Sequence, residues 1–345
     1  MRRVFFILLT MVFVLGFFFL DPLKNAKKRD AEKLYKISAF EENYLKVSDT
    51  HQIFYELSGS PKGIPVFVLQ TDPGLPVFKK LKKFFNPHNF LVVTFDQRGS
   101  GMSRPLGEIE ENTTQNIISD MEKLRVHLKL DKIILFGGFW GAGAALLYAE
   151  NYPENVKGMV LWSCFTGTSD EIKHIYYGSA EQFFPEAHKK LLQGLDNSSK
   201  GSLPEILTNG LLKMNFKSRD QYTKKWIEYW LTITGSTPQF NPLSGLNKAR
   251  KYAFALIENF YMANRYFLKG DPVLDNIAKI EDKPVFIING RYDVMAPSDR
   301  AAVINRHLKN SKLVIVDNKG HWPDSDIMKK EIARGIKFVL SSAGK

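Results

Sequence analysis

Cysteine is almost absent from this chain, which has one, Cys164, among 345 residues. An internal disulfide is therefore excluded, and the cellular compartment cannot be inferred from cysteine usage. Cys164 follows the apolar segment Met159–Trp162. This position predicts a buried and unreactive thiol.

The sequence also lacks an HExxH motif, paired CxxC motifs and a P-loop. It therefore implies neither a metal nor a cofactor. The formal charge is +12, but no aromatic-interleaved basic motif accompanies it, so we expect no nucleic-acid binding. Much of the positive excess flanks the N-terminal segment, at Arg2, Arg3, Lys24, Lys27, Lys28 and Arg29.

An uncharged run extends from Val4 to Leu20. It is near the lower length limit of a membrane span and longer than the apolar part of most cleaved signals. Asp21 and Pro22 follow without a small-residue cleavage pattern. We therefore predict a membrane-anchored protein with one uncleaved span at residues 4–20. A cleaved leader, giving a secreted or periplasmic protein, is the alternative, and basic residues on both sides leave the orientation open.

Short apolar runs alternate with helical patterns after this segment, which predicts an α/β fold with a mostly parallel sheet flanked by helices. An aromatic-rich helical stretch interrupts the alternation and predicts an inserted helical cap. The predicted organisation is an anchor or signal segment at 1–30, a core at 31–167 and 283–345, and a cap at 168–282. The predicted strands are Pro65–Leu69, Leu91–Phe95, Ile133–Phe136, Met159–Trp162, Val285–Asn289 and Lys312–Val316.

Helical spacing follows a predicted cap residue at Asn112. Ile117, Met121, Leu124 and Leu128 recur on one face, so we predict that this helix packs on the sheet. A second helix is predicted after Gly141.

A strand, a glycine-rich turn and a helix follow one another around residue 139. In hydrolases this pattern reads G-x-S-x-G, and the sharp turn presents the serine above the sheet. Here the apolar run IILF leads into Gly137-Gly138-Phe139-Trp140-Gly141. The nucleophile elbow is therefore predicted, but Phe139 takes the place of its serine.

Five segments together resemble the prolyl iminopeptidase family of α/β-hydrolases, over roughly residues 40 to 340. They are FDQRGSGMSRP from Phe95, NTTQNIISDMEKLR from Asn112, FGGFWG from Phe136, GRYD from Gly290 and GH from Gly320. The family's elbow reads GGSWG. The resemblance implies an α/β-hydrolase fold with a cap and a serine aminopeptidase ancestry.

The resemblance assigns Asp293 and His321 to the family's catalytic acid and base. Such a pair suits the chemistry, because an imidazole takes the proton of the nucleophile while a carboxylate orients the ring. With Phe139 at the nucleophile position, these two residues would be the relict part of a triad.

The loop that builds the oxyanion hole also differs from the family. Where the family has HGGPG, this chain has Gln70-Thr71-Asp72-Pro73-Gly74. Replacing both glycines restricts the backbone, and a carboxylate at Asp72 would repel a developing negative charge. The backbone N–H of Trp140 is the half of the hole that we expect to survive.

The resemblance further implies a site for the free amine of a substrate. The family holds this amine with cap carboxylates, one of them in a segment like IENHYF, and Ile257–Met262 keeps that acid as Glu258. The family's second acid, in a W-x-x-W-E pattern, is poorly matched, since Trp226 and Trp230 are one residue further apart and Leu231 takes the place of the glutamate. We expect Trp226 and Trp230 to pack within the cap.

These features predict a catalytically degenerate hydrolase that keeps the fold and can bind a peptide or a small amine-bearing ligand. One alternative is an active enzyme in which His321 and Asp293 act as a general base without a serine. An open pocket above Phe139 would favour it, and a ring filling that space would not. Another alternative is hydrolysis through Ser100, Ser163 or Cys164, none of which occupies the elbow.

Overall fold

The computed structural model describes residues 34–195, 201–213, 215–238 and 240–342. The run at residues 4–20, predicted to be an anchor, lies outside these ranges. Within them, none of the helices combines the length and the apolar character that a membrane crossing requires.

The described chain builds one eight-stranded sheet in the order β1-β2-β4-β3-β5-β6-β7-β8. β1 and β2 pair antiparallel, and β2 pairs antiparallel with β4, whereas all later pairings are parallel. The strands are β1 Ala39–Lys46, β2 Gln52–Gly59, β3 Ile64–Val68, β4 Phe90–Phe95, β5 Ile133–Phe139, β6 Val156–Cys164, β7 Val285–Gly290 and β8 Ser311–Val316.

The predicted strands are confirmed as β3 to β8. Their apolar runs are continuous because a parallel sheet is covered on both faces, and every residue of β4, β5 and β7 is buried. β1 and β2 were not predicted from the sequence. β1 is largely exposed and therefore lacks the apolar run that marks the others.

Eleven α-helices lie within the described ranges. They are α1 Thr114–His127, α2 Trp140–Asn151, α3 Ser169–Tyr177, α4 Ser179–Phe183, α5 Pro185–Leu192, α6 Leu203–Leu212, α7 Phe216–Ile233, α8 Lys248–Ala263, α9 Pro272–Asn276, α10 Ser298–His307 and α11 Asp326–Ser342. Helices α3 to α9 are inserted between β6 and β7, in the stretch for which the sequence predicts a cap.

The predicted cap residue of α1 is wrong by one position. Thr113, not Asn112, caps the helix by accepting a hydrogen bond from the Asn116 N–H. Asn112 instead donates to the carbonyls of Arg98 and Glu108 and accepts from the Tyr261 hydroxyl of α8. It therefore ties the loop before α1 to the cap.

Candidate active site

The turn between β5 and α2 has the geometry of a nucleophile elbow. Phe139 adopts φ 51° and ψ −123°, a strained region for a residue with a side chain. Its neighbours must be glycines: a Cβ at Gly137 would lie 2.3 Å from the Gly141 carbonyl oxygen, and one at Gly138 would lie 1.9 Å from the Trp162 ring. Close packing therefore maintains the elbow without the serine.

The Phe139 ring is fully buried at the tip of this elbow. It stacks on Phe165 with a centroid distance of 4.4 Å and an interplanar angle of 24°. Its edge-to-face contact with the His321 imidazole has a centroid distance of 5.3 Å. An apolar ring thus faces the imidazole at the position where the sequence pattern expects a hydroxyl.

His321 and Asp293 form the hydrogen-bonded pair that the sequence suggested. Nδ1 of His321 lies 3.1 Å from each carboxylate oxygen of Asp293. Asp293 follows β7, His321 lies in the loop after β8, and both are buried. The backbone N–H groups of Met295 and Ala296 donate to Oδ1 of Asp293, each at 3.0 Å. The carboxylate is therefore fixed in place and orients the imidazole.

The other ring nitrogen of His321, Nε2, is buried and bonds to none of the described residues. With Nδ1 donating to Asp293, Nε2 carries the lone pair of the neutral ring. Burial disfavours the charged imidazole, but the Asp293 carboxylate outweighs burial, so the pKa of His321 is raised above its usual value.

The Trp140 N–H was expected from the sequence to be free for an oxyanion. The structure corrects this, because the N–H is already hydrogen-bonded within the protein. The Trp140 N–H donates to the Thr71 carbonyl oxygen at 3.0 Å. The Gln70 side chain braces the same loop by accepting from the Gln97 N–H at 2.8 Å and donating to the Asp72 carbonyl at 3.1 Å. In this arrangement the N–H is not free to meet an oxyanion.

Asp72 lies fully buried in this loop. Its Oδ1 accepts from the Trp230 indole N–H of α7 at 3.1 Å, and its Oδ2 bonds to none of the described side chains or backbone groups. Burial raises the pKa of Asp72, and the Thr71 hydroxyl, then the charge of His321 and the Trp230 indole N–H, oppose part of that shift.

Glu258 of α8 is fully buried, and neither of its carboxylate oxygens has a hydrogen-bond partner in the described chain. Burial, and then the charge of Asp72, raise the pKa of Glu258 well above its usual value. The Tyr266 hydroxyl is also buried, has no described partner, and lies close enough to both acids for their charges to raise its pKa. We call Asp72, Glu258, Tyr266 and His321 the buried polar cluster.

Comparison with known proteins places the chain in a family. Residues 64–323 match the alpha/beta hydrolase fold family. The chain is 35% identical over 311 residues to a proline iminopeptidase of Neisseria meningitidis serogroup A, covering 89% of this chain and 99% of that one. It is 34% identical over 291 residues to a proline iminopeptidase of Arabidopsis thaliana, covering 83% and 76%. The chain belongs to the proline iminopeptidase family.

Solved structures agree on the fold. A proline iminopeptidase of Mycobacterium smegmatis superposes with a TM-score of 0.59 at 14% identity, covering 88% of this chain and 99% of that one. A proline iminopeptidase-related protein of Thermus thermophilus gives a TM-score of 0.57 at 20% identity, with the same coverage.

Of the three other candidate nucleophiles in this family member, two are hydrogen-bonded to backbone carbonyls and the third is a buried thiol. The Ser100 hydroxyl donates to the Gln97 carbonyl at 2.7 Å, and the Ser163 hydroxyl donates to the backbone carbonyl of His321 at 2.9 Å. Cys164 is buried as predicted, and burial raises the pKa of its thiol to about 12. These contacts do not activate any of the three toward the imidazole.

Two residues of the site were missed by sequence reasoning. Trp230, expected only to pack, donates its indole N–H to Asp72, and Tyr266 brings its hydroxyl into the buried polar cluster. The near-match of Trp230 to the family's W-x-x-W-E pattern was the available signal. Among the described residues, no group of three or more His, Cys, Asp or Glu side chains is arranged to hold a metal ion.

Proposed function

We propose that this chain is a proline iminopeptidase-like protein that no longer hydrolyses peptides but still binds an amine-bearing ligand, such as a peptide N-terminus or a small amine. One observation carries the proposal: the Phe139 ring, packed between Phe165 and His321, takes the nucleophile's place. A phenyl ring has no lone pair with which to attack a carbonyl and no acidic proton for the imidazole to remove.

The oxyanion loop supports the same conclusion independently. Removing one oxyanion donor costs roughly 3 kcal/mol of transition-state stabilisation. Here the Trp140 N–H is bonded to Thr71, and the neighbouring Asp72 would place a carboxyl group near the developing negative charge. Two separate parts of the catalytic apparatus are therefore changed.

Amine binding is supported by the unsatisfied carboxyl groups. A buried polar group without a partner costs about 1–3 kcal/mol, and the cost is larger when the group is charged. Glu258 leaves both oxygens without a described partner, and Asp72 leaves one. An ammonium group supplies three donors and a compensating charge, so it is the ligand chemistry that best completes this site.

The test uses the full-length protein with Pro-naphthylamide and simple esters. We expect no turnover above a His321→Ala variant, because both proteins lack a nucleophile. Activity in the wild type that the His321→Ala variant lacks would contradict the proposal. Calorimetric titration with primary amines should show binding that Glu258→Gln weakens at least tenfold.

A general-base enzyme remains the second candidate, because Asp293 orients His321 and Nε2 has no described partner. Such an enzyme would remove a proton from the substrate without forming a covalent intermediate. The packed Phe139 ring counts against it. Exchange of an acidic C–H proton for deuterium in candidate ligands, lost in His321→Ala, would support this second function.

We also propose that residues 4–20 anchor the protein in a membrane. This proposal rests on the length of the uncharged run. Deleting residues 1–20 should release a folded domain from the membrane fraction. Recovery of the full-length protein in the soluble fraction, with residues 1–20 still detected by mass spectrometry, would refute the anchor.

A further inference from the structure

The loop after β3, residues 70–74, presents hydrogen-bond acceptors where an oxyanion hole presents donors. In an oxyanion hole, N–H donors point to the position where negative charge develops. Here the Thr71 carbonyl takes the Trp140 N–H, and the Asp72 carboxyl group lies buried in the same loop. The loop thus presents acceptors, which suit a positively charged group.

Asp72 and Glu258 belong to one cluster although they lie on different elements. The loop packs directly on α8, since a Cβ at Gly74 would lie 2.8 Å from the Ile257 side chain. Trp230 connects the loop to α7 through its bond to Asp72 and contacts Phe254 of α8 at a ring distance of 5.3 Å. Both acids are fully buried, so each lacks solvent to stabilise its charge.

Three carboxyl oxygens in this cluster have no hydrogen-bond partner in the described chain: Oδ2 of Asp72 and both oxygens of Glu258. A ligand with one ammonium group would neutralise one acid and leave the other protonated or unpaired. Two ammonium groups would compensate both. The second ammonium group also supplies hydrogen bonds to the acid that a monoamine would leave without a partner, and the cost of a buried polar group without a partner therefore favours the diamine.

From this arrangement, and resting on the amine binding proposed above, we infer that the site takes a compact ligand with two cationic amine groups, one held by Glu258 and the other by Asp72. Asp72 is then a residue that determines specificity. It recognises the second amine at the place where a hydrolytic relative would stabilise an oxyanion.

Binding of such a ligand is coupled to proton release. Burial raises the pKa values of both acids, so the free protein holds protons that the diamine must displace. The other titratable groups facing them are His321, Tyr266 and Tyr176, whose pKa values are also raised. The tyrosines stay neutral near pH 7, so the released protons come from the carboxyl groups and from His321.

The experiment is calorimetric titration of the full-length protein with 1,3-diaminopropane, 1,4-diaminobutane and 1,5-diaminopentane, each beside the monoamine of equal chain length. We expect the best diamine to bind about tenfold to a hundredfold more tightly than its monoamine, the range for one added hydrogen bond to a charged group. Titration in buffers of different ionisation enthalpy should show more protons released by the diamine than by the monoamine.

Asp72→Asn keeps an acceptor for the Trp230 indole N–H and removes only the charge. It should abolish the advantage of the diamine over the monoamine, and both affinities are measured in the same variant because the charge of Asp72 also acts on Glu258. Glu150→Gln is the matched control, because Glu150 is a buried acid of α2 with one unpartnered oxygen in the described chain, and its charged neighbours are Lys279, Asp271 and Asp275. It should bind both ligands as the wild type does.

Monoamine binding that depends on Glu258, with no preference for any diamine, would overturn this inference and leave the proposed amine site intact. A diamine preference that survives in folded Asp72→Asn would also overturn it. Failure of every amine to bind would overturn both the inference and the amine-binding part of the proposed function. The fold of each variant is checked by circular dichroism and thermal unfolding.

Discussion

Restoring a serine to the elbow should not by itself restore hydrolysis. Phe139→Ser supplies a hydroxyl beside the His321–Asp293 pair, whose geometry is already in place. The Trp140 N–H would still be bonded to Thr71, and Asp72 would still lie in the loop. Parts of a catalytic site that act as one unit have non-additive effects, so we expect Phe139→Ser to restore little.

The size of the remaining defect can be worked out from the loop. One missing oxyanion donor costs roughly 3 kcal/mol, and each 1.36 kcal/mol corresponds to a tenfold change in rate. An ionised Asp72 about 4 Å from the oxyanion would add about 1 to 4 kcal/mol of repulsion, depending on the local dielectric, and its raised pKa reduces this contribution. Adding Gln70→His, Thr71→Gly and Asp72→Gly should therefore raise the rate over Phe139→Ser by about a hundredfold or more.

The assay is the initial rate of Pro-naphthylamide hydrolysis, with the four-residue variant carrying alanine at 139 as the control without a nucleophile. Loss of the buried ring costs about 3–5 kcal/mol of stability in comparable substitutions, so the unfolding free energy of every variant must be measured. Glu258→Gln in the repaired protein should slow cleavage of free-amine substrates more than that of acetylated ones.

Two results would refute this reasoning. If Phe139→Ser alone were as active as the four-residue variant, the bond from Trp140 to Thr71 would not limit catalysis. If the four-residue variant folded but remained inactive, the differences from an active site would extend beyond the elbow and the loop.

Three further outcomes are expected. A fluorophosphonate probe should label the repaired four-residue variant but not the wild type, as judged by intact-protein mass spectrometry; labelling of the wild type would reveal another nucleophile. Burial raises the pKa of Glu150 to about 9 from its usual 4.5. Between these pH values the native state keeps a proton that the unfolded chain releases. The free energy of unfolding should therefore fall as pH rises through this range. Glu150→Gln should flatten this slope in urea titrations at pH 5, 7 and 9, and an unchanged slope would contradict the assignment. Trp230→Phe removes the donor to Asp72 and should lower stability by about 1–3 kcal/mol, while the same substitution in an Asp72→Ala background should cost less; equal costs in both backgrounds would show that the bond contributes nothing.

The central strands could be predicted from the sequence because each is a continuous apolar run within a sheet covered on both faces. The elbow was predictable because close contacts require its glycines, Gly137 against the Gly141 carbonyl and Gly138 against the Trp162 ring of β6, so the motif is visible in the sequence. β1 gave no comparable signal, since most of its side chains are exposed. Asn112 and Thr113 are both good cap residues, and the contacts of Asn112 with Arg98, Glu108 and Tyr261, the last 149 positions away, decide between them.

The state of the oxyanion loop was beyond sequence reasoning for a related reason. Whether the Trp140 N–H is free depends on the direction of one carbonyl, that of Thr71, nearly seventy positions earlier. Periodicity and motif spacing carry no information about such a direction. The pairing of His321 with Asp293, by contrast, follows from the order of strands whose carboxyl ends meet at one edge of the sheet.

The left-handed backbone of Phe139 bears on how hydrolases are recognised. Glycine packing around β5 and α2 maintains that conformation whatever side chain residue 139 carries, and the His–Asp pair needs no serine to form. A search by backbone shape, or by the imidazole–carboxylate pair alone, would not distinguish this chain from one with a serine at the elbow. A function should therefore be transferred between such folds only after two atoms are checked. One is the side-chain atom at the tip of the elbow, and the other is the acceptor of the backbone N–H of the next residue.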